Sequence, residues 1–214
     1  MQITWNYKDT DFSWPLSFEQ KVDIFYHRFL GWQLHIADLI ANGGRPLGEV
    51  ESVQPLRHSG FAVLHICLSY FETIGQYEQR NPQTKTSTGY FKEGVRSVLP
   101  KLHRSYGNVV GRLLTRLYEG ARNGLYHNSM PVPGVGLGQP SDGEPIAYDP
   151  ASKTLAISPE RLPRALKQHL EEFRANLLDS RNRDLRRNFE RRFEEHNGIT
   201  KPSNQALAAR IVGG

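Results

Sequence analysis

Apolar positions along this 214-residue chain recur mostly at three- and four-residue spacing. That is the pattern of helices with one buried face. Ser17 opens the first helix, with Gln20 three residues on as its capping-box partner. Val22, Phe25, Phe29, Trp32, Ile36 and Leu39 make its stripe to about Asn42, and Gly43-Gly44-Arg45-Pro46 stops it. A second helix is predicted over about 60–80, through Phe61, Leu64, Ile66, Leu68, Phe71, Ile74 and Tyr77. Its first half is apolar nearly all round, which predicts a central place. A short helix over about 90–99 follows the polar loop Asn81–Gly89 and ends at Pro100. The fourth, over about 108–128, carries Val109, Leu113, Leu117, Ala121 and Leu125 at strict i, i+4 spacing. Gly120 and Gly124 lie one turn apart on it and leave room for another helix. The fifth, over about 159–197, starts at Ser158-Pro159-Glu160 and uses Leu162, Leu166, Leu170, Phe173 and Leu177 as its stripe. Phe189 and Phe193 continue its amphipathic pattern.

Residues 129–158 break this period. Pro145-Ile146-Ala147-Tyr148 and Thr154-Leu155-Ala156-Ile157 flank the turn residues Asp149–Lys153, which predicts a small β-hairpin over about 145–157. Gly134-x-Gly136-x-Gly138 follows no strand and opens no helix, so it reads as flexible chain rather than a phosphate cradle. The expected fold is mainly all-α. It is a single domain over 1–198, a bundle of four to five helices with a hairpin insertion and a basic C-terminal helical extension. Residues 1–16 read as an aromatic arm over the bundle, and 199–214 as a mobile tail.

Composition narrows the classes. No apolar run is long enough to span a bilayer, and the N-terminus lacks a signal-peptide layout, which predicts a soluble cytoplasmic protein without membrane partners. Cys67 is the only cysteine, so no internal disulfide or thiolate cluster can form; its apolar surroundings predict a buried structural thiol. The net charge of +5 is concentrated. Arg161 to Arg192 holds ten Lys/Arg and five Asp/Glu, and the rest of the chain is neutral. That stretch suits an anionic partner such as RNA, or simply a solvated helix face.

The eight histidines (His27, His35, His58, His65, His103, His127, His169 and His196) show no metal-ligand spacing, and there is no Gly-x-Ser-x-Gly elbow. No metal and no cofactor is expected. What remains is Arg122-Asn123-Gly124-Leu125-Tyr126-His127, at the end of an apolar helix with glycines beside it. The spacing alone also fits Arg28 with His35, Arg96 with His103, Arg164 with His169 and Arg191 with His196, but only Arg122 is followed by Asn.

This stretch resembles the Arg-x(4–6)-His motif of the HEPN superfamily (higher eukaryotes and prokaryotes nucleotide-binding domain), in which a polar residue often follows the arginine. The resemblance implies a helical bundle and, for many members, a metal-independent endoribonuclease. It also implies a homodimer whose two motifs face each other, in toxin–antitoxin, phage-defence or RNA-processing systems. Other members are inactive binding modules. The resemblance covers the motif and the helical layout from about residue 17 to 180; the hairpin and the basic extension lie outside the minimal pattern.

The residue types suit the chemistry. Cleavage of RNA without metal needs a base for the 2′-hydroxyl, an acid for the leaving 5′-oxygen, and positive charge at the phosphate. Histidine serves as acid or base near neutrality. Arginine offers forked donors to a phosphate and stabilises charge in the transition state. On this basis Arg122 is the phosphate contact, His127 the acid/base and Asn123 the positioning amide. Glu119, Tyr126 and Asn128 are supporting candidates. On a straight helix Arg122 and His127 point about 140° apart, whereas Asn123 and His127 share a face. Either the helix loosens at Gly124, or Arg122 reaches across, or a second protomer completes the site. The competing expectation is a non-catalytic helical module that binds a protein partner such as a cognate antitoxin, a nucleotide, or RNA. In that case Arg122 only pairs with Glu119, and His127 only satisfies a helix C-terminus.

Overall fold

The computed structural model describes residues 2–79 and 83–197, apart from the side chains of His103 and Asn128. The expected tail at 199–214, and Asn81 and Pro82 of the predicted polar loop, lie outside the described residues. The chain is mainly helical, with one small three-stranded sheet. Helices α1 (Phe18–Phe29) and α2 (His35–Asn42) form one continuous rod, joined by a π-wound turn at Leu30–Leu34. Then come α3 (Gly60–Glu78), α4 (Ser87–Val98) and α5 (Pro100–Tyr106). A second rod runs from α6 (Val110–Arg116) through a π-wound stretch, Leu117–Asn123, into α7 (Gly124–Asn128). The strands β1 (Val135–Leu137), β2 (Ile146–Asp149) and β3 (Thr154–Ile157) precede α8 (Leu162–Leu178) and α9 (Arg183–His196).

Ser17 caps α1 as its sequence predicts: its Oγ accepts from the Gln20 N–H, and the Gln20 side chain accepts from the Ser17 N–H. The stripe of the first rod then shifts. Val22 and Phe25 are buried, but Trp32 and Ile36 are exposed, and Leu34 and Ala37 take their places inside. The π turn is the physical reason. It adds a residue to one turn and rotates everything after it relative to a regular α-helix. Gly31 in that turn receives the N-terminal arm; a Cβ there would lie 2.1 Å from the Trp5 ring. Trp5 Nε1 donates to His27 Nδ1 at 3.1 Å, and Arg28 Nε donates to the Ile3 carbonyl, so the arm is docked on α1.

Helix α3 is central, packing against α2, α4, α8 and α9. Its closest neighbour is α4, and glycines set the distance. A Cβ on Gly75 would sit 1.9 Å from the Tyr90 carbonyl oxygen, and one on Gly94 would sit 1.8 Å from that of Phe71. Phe71 and Phe91 fill the seam beside them, edge to face; burying side chains of this size contributes roughly 1.5–3 kcal/mol each. Cys67 is fully buried in α3, and burial pushes its thiol up, away from reactivity.

The five-position stripe of α8 is buried throughout. The single helix expected over 159–197 runs as two, because the chain turns at Asp179–Asn182 and α9 folds back to seal Phe189 and Phe193 into the core. Lys21 of α1 lies buried between Glu190 and Glu194 of α9, at 2.6 and 2.7 Å. Asp38 and Lys167 tie α2 to α8 at 2.8 Å. The hairpin pairs Ile146 with Ile157 and Asp149 with Thr154. The chain at Val135–Leu137, expected to be flexible, is instead a strand parallel to β3. Its Val135 packs into the core, and apolar burial overrides the glycines on either side.

Candidate functional site

The strict four-residue spacing from Leu113 to Leu125 suits the winding found there. Each i, i+4 step drifts about 40° on an α-helix. The wider π turns of Leu117–Asn123 cancel that drift, so Leu113, Leu117, Ala121 and Leu125 are all buried on one side. The helix therefore does loosen, but before Gly124 rather than at it. Gly120 and Gly124 admit the chain that follows rather than another helix. A Cβ at Gly120 would meet the side chains of Val132 and Val135, and one at Gly124 the Met130 carbonyl. The Val132 N–H donates to the Gly120 carbonyl, which locks this return in place. Ser129, with φ of 58°, ends the helix.

Arg122 leaves the π-wound stretch toward α3. Its Nη2 donates to Glu72 Oε2 at 3.2 Å, and its Nη1 to Asn123 Oδ1 at 3.1 Å. The guanidinium carbon lies 5.5 Å from the Tyr118 ring centre and 5.2 Å from that of Tyr126. The side chain is 28% exposed, so it is held on four sides yet open on one. Its acidic partner is Glu72 of α3; Glu119, the expected partner, is exposed. Tyr118 is a core residue, packed edge-on to Phe91.

Arg122 forms one wall of a groove of about 260 Å³ between α3 and α7. Leu68 and Leu125 are its apolar lining; Ser69, Glu72, Thr73 and Gln76 supply a polar edge from α3. His65, also on α3, faces Tyr126 across the groove with the two rings within 9° of parallel and 5.9 Å apart. Tyr126 is 65% exposed. His127 is exposed beyond it, its ring edge-on to Tyr126 at 5.2 Å. Tyr126 is thus the common neighbour of Arg122, His65 and His127. Asn123 turns its oxygen to Arg122. The Asn128 side chain is among those not described.

Sequence reasoning missed Glu72 and His65. Both lie on one polar stripe of an otherwise apolar helix, His65, Ser69, Glu72, Thr73 and Gln76 at helical spacing. That stripe was the available signal; its meeting with Arg122 is a tertiary fact.

The basic stretch from Arg161 to Arg192 is largely committed to internal pairs. Asp38 takes Lys167 and Arg164, Asp23 takes Arg174, and Glu195 takes Arg191 and Arg192. Arg186 lies 3.8 Å over the Phe18 ring. Among the described residues, no three His, Cys, Asp or Glu side chains gather as a metal site requires, and no helix is long and apolar enough to cross a membrane. No family model, curated protein or solved structure matches the chain.

Proposed function

We propose that this protein is a HEPN-like, metal-independent endoribonuclease of toxin, phage-defence or RNA-processing type. It cleaves RNA by attack of a 2′-hydroxyl on the adjacent phosphate. Arg122 binds that phosphate, His127 transfers a proton, and Asn123 holds the Arg122 guanidinium in orientation. The observation that carries the proposal is the setting of Arg122: a guanidinium fixed by Glu72, Asn123 and two tyrosine rings, yet open to a groove, with an exposed imidazole one ring away. A pre-oriented charge of this kind is what a developing phosphorane needs.

A homodimer with the two motifs facing each other suits the apolar surface around the helix end. Tyr126 and Met130, at and just beyond the helix end, are exposed, as is Val132, which packs against Gly120; exposed apolar surface of this kind marks association sites. A cognate antitoxin covering the same face is compatible with this arrangement. Many of the Arg161–Arg192 side chains are paired within the protein, and the net charge of +5 draws RNA in at long range.

Cleavage of a single-stranded RNA in EDTA by the wild type, Arg122→Ala and His127→Ala tests this. Loss of cleavage in both variants supports it, and equal cleavage by all three contradicts it. The second reading, a non-catalytic HEPN-like module for a protein partner, nucleotide or RNA, is favoured by the same Glu72–Arg122 pair acting as a purely structural tie. It predicts salt-sensitive binding with no turnover by any form.

A further inference from the structure

Resting on the ribonuclease reading above, we propose that His65 is a second catalytic residue, so that one protomer holds both the acid and the base of the reaction. Arg122 and His65 line the same groove, and His127 stands just outside it. His65 and His127 each lie one ring contact from Tyr126, at 5.9 and 5.2 Å between ring centres, and the Arg122 guanidinium lies against that same ring. A phosphate held by Arg122 in the groove thus shares it with the His65 imidazole, and the His127 imidazole is a neighbour of the Tyr126 ring that lines it. Both are exposed and free to meet a substrate.

The chemistry asks for two such groups. One neutral imidazole takes the 2′-hydroxyl proton. The 2′-oxygen then forms its bond to phosphorus, and the P–O5′ bond breaks with its electron pair on O5′. The other imidazole, protonated at the start, gives its proton to O5′. The products are a 2′,3′-cyclic phosphate and a 5′-hydroxyl, and the two imidazoles have exchanged protonation states. No metal or redox partner is needed. Among the described groove residues, His65 is the one that carries an imidazole. Glu72 is committed to Arg122, and Ser69, Thr73 and Gln76 carry no proton that moves near neutrality.

The test is single-turnover cleavage of a single-stranded RNA in EDTA, from about pH 5 to about pH 9, by wild type, His65→Ala and His65→Gln. Thermal melts check that the variants keep the fold, as an exposed position should. The wild type is expected to give a bell-shaped profile. Both variants are expected to fall by about 10²–10⁴-fold and to lose one limb of the bell. Full activity in the variants, or a raised KM with both limbs intact, overturns the role of His65 while leaving the ribonuclease reading standing. No cleavage by the wild type overturns that reading and this role together.

Discussion

Arg122, on a π-wound turn, donates to Glu72 in the middle of α3 across 3.2 Å. The pair bridges the two walls of the groove and fixes the guanidinium that the proposed function sets against a phosphate. Glu72→Gln keeps the shape and removes the charge. It is expected to cost only about 1 kcal/mol of stability, since both groups reach solvent, but to reduce RNA cleavage severalfold or more. Denaturant melts beside cleavage rates separate the two effects. A variant with wild-type cleavage would mean that Glu72 does not position Arg122.

The α3–α4 seam has no slack. Gly94→Ala drives a methyl into the Phe71 carbonyl, a backbone atom that cannot rotate away. A destabilisation of about 3 kcal/mol or more is expected, at the upper end of overpacking costs, visible as a lowered denaturation midpoint. Gly111→Ala, where a Cβ meets nothing within 4 Å, is the control and is expected to be neutral or slightly stabilising.

Lys21 is the buried charge in the α1–α9 contact. Burial pulls its pKa down, but the hydrogen bonds to Glu190 and Glu194 outweigh burial and hold it above the ordinary lysine value. A raised lysine pKa gives stability that is complete below the unfolded value and is lost as pH climbs through the folded one. The contribution is therefore whole at neutrality and fades only in strong alkali. Lys21→Met leaves the two carboxylates facing each other without their cation. It is expected to cost about 2 kcal/mol at neutral pH, less than a fully buried pair because both glutamates reach solvent. No change in the melt would contradict this.

The N-terminal arm is expected to respond to acid. Burial lowers the pKa of His27, whose Nδ1 accepts the Trp5 indole N–H. A lowered histidine pKa gives stability that is present above the ordinary value near 6.5 and is lost as pH falls through the folded one. Burial lowers His35 and His196 in the same direction. Tryptophan fluorescence followed downward from pH 7 is expected to report undocking of Trp5 below the ordinary histidine range. His27→Gln is expected to shift or flatten that transition; a transition at the same pH in the variant would assign it to another group.

Much of the fold was legible from the chain because its signals are local. The capping box at Ser17, the stripe from Leu162 to Leu177, and the period-two runs of the hairpin each state their structure within a few residues. A regular 3.6-residue period places Trp32 and Ile36 inside, and the one π turn at Leu30–Leu34 reverses their facing. In the second rod the same winding had left a mark, since the unbroken i, i+4 run from Leu113 to Leu125 suits a wider helix. Arg122 and His127 were readable as candidates from their motif. Glu72 and His65 were not, because their claim depends on α3 lying against α7, and nothing local to residues 65–72 says what will face them.

The most direct measurement is the end group left on a single-stranded RNA after incubation with the protein in EDTA, beside Arg122→Ala. Products ending in a 2′,3′-cyclic phosphate from the wild type, and none from the variant, are predicted. Intact RNA with the wild type, or the same products in the same yield from Arg122→Ala, would contradict a metal-independent ribonuclease site at Arg122.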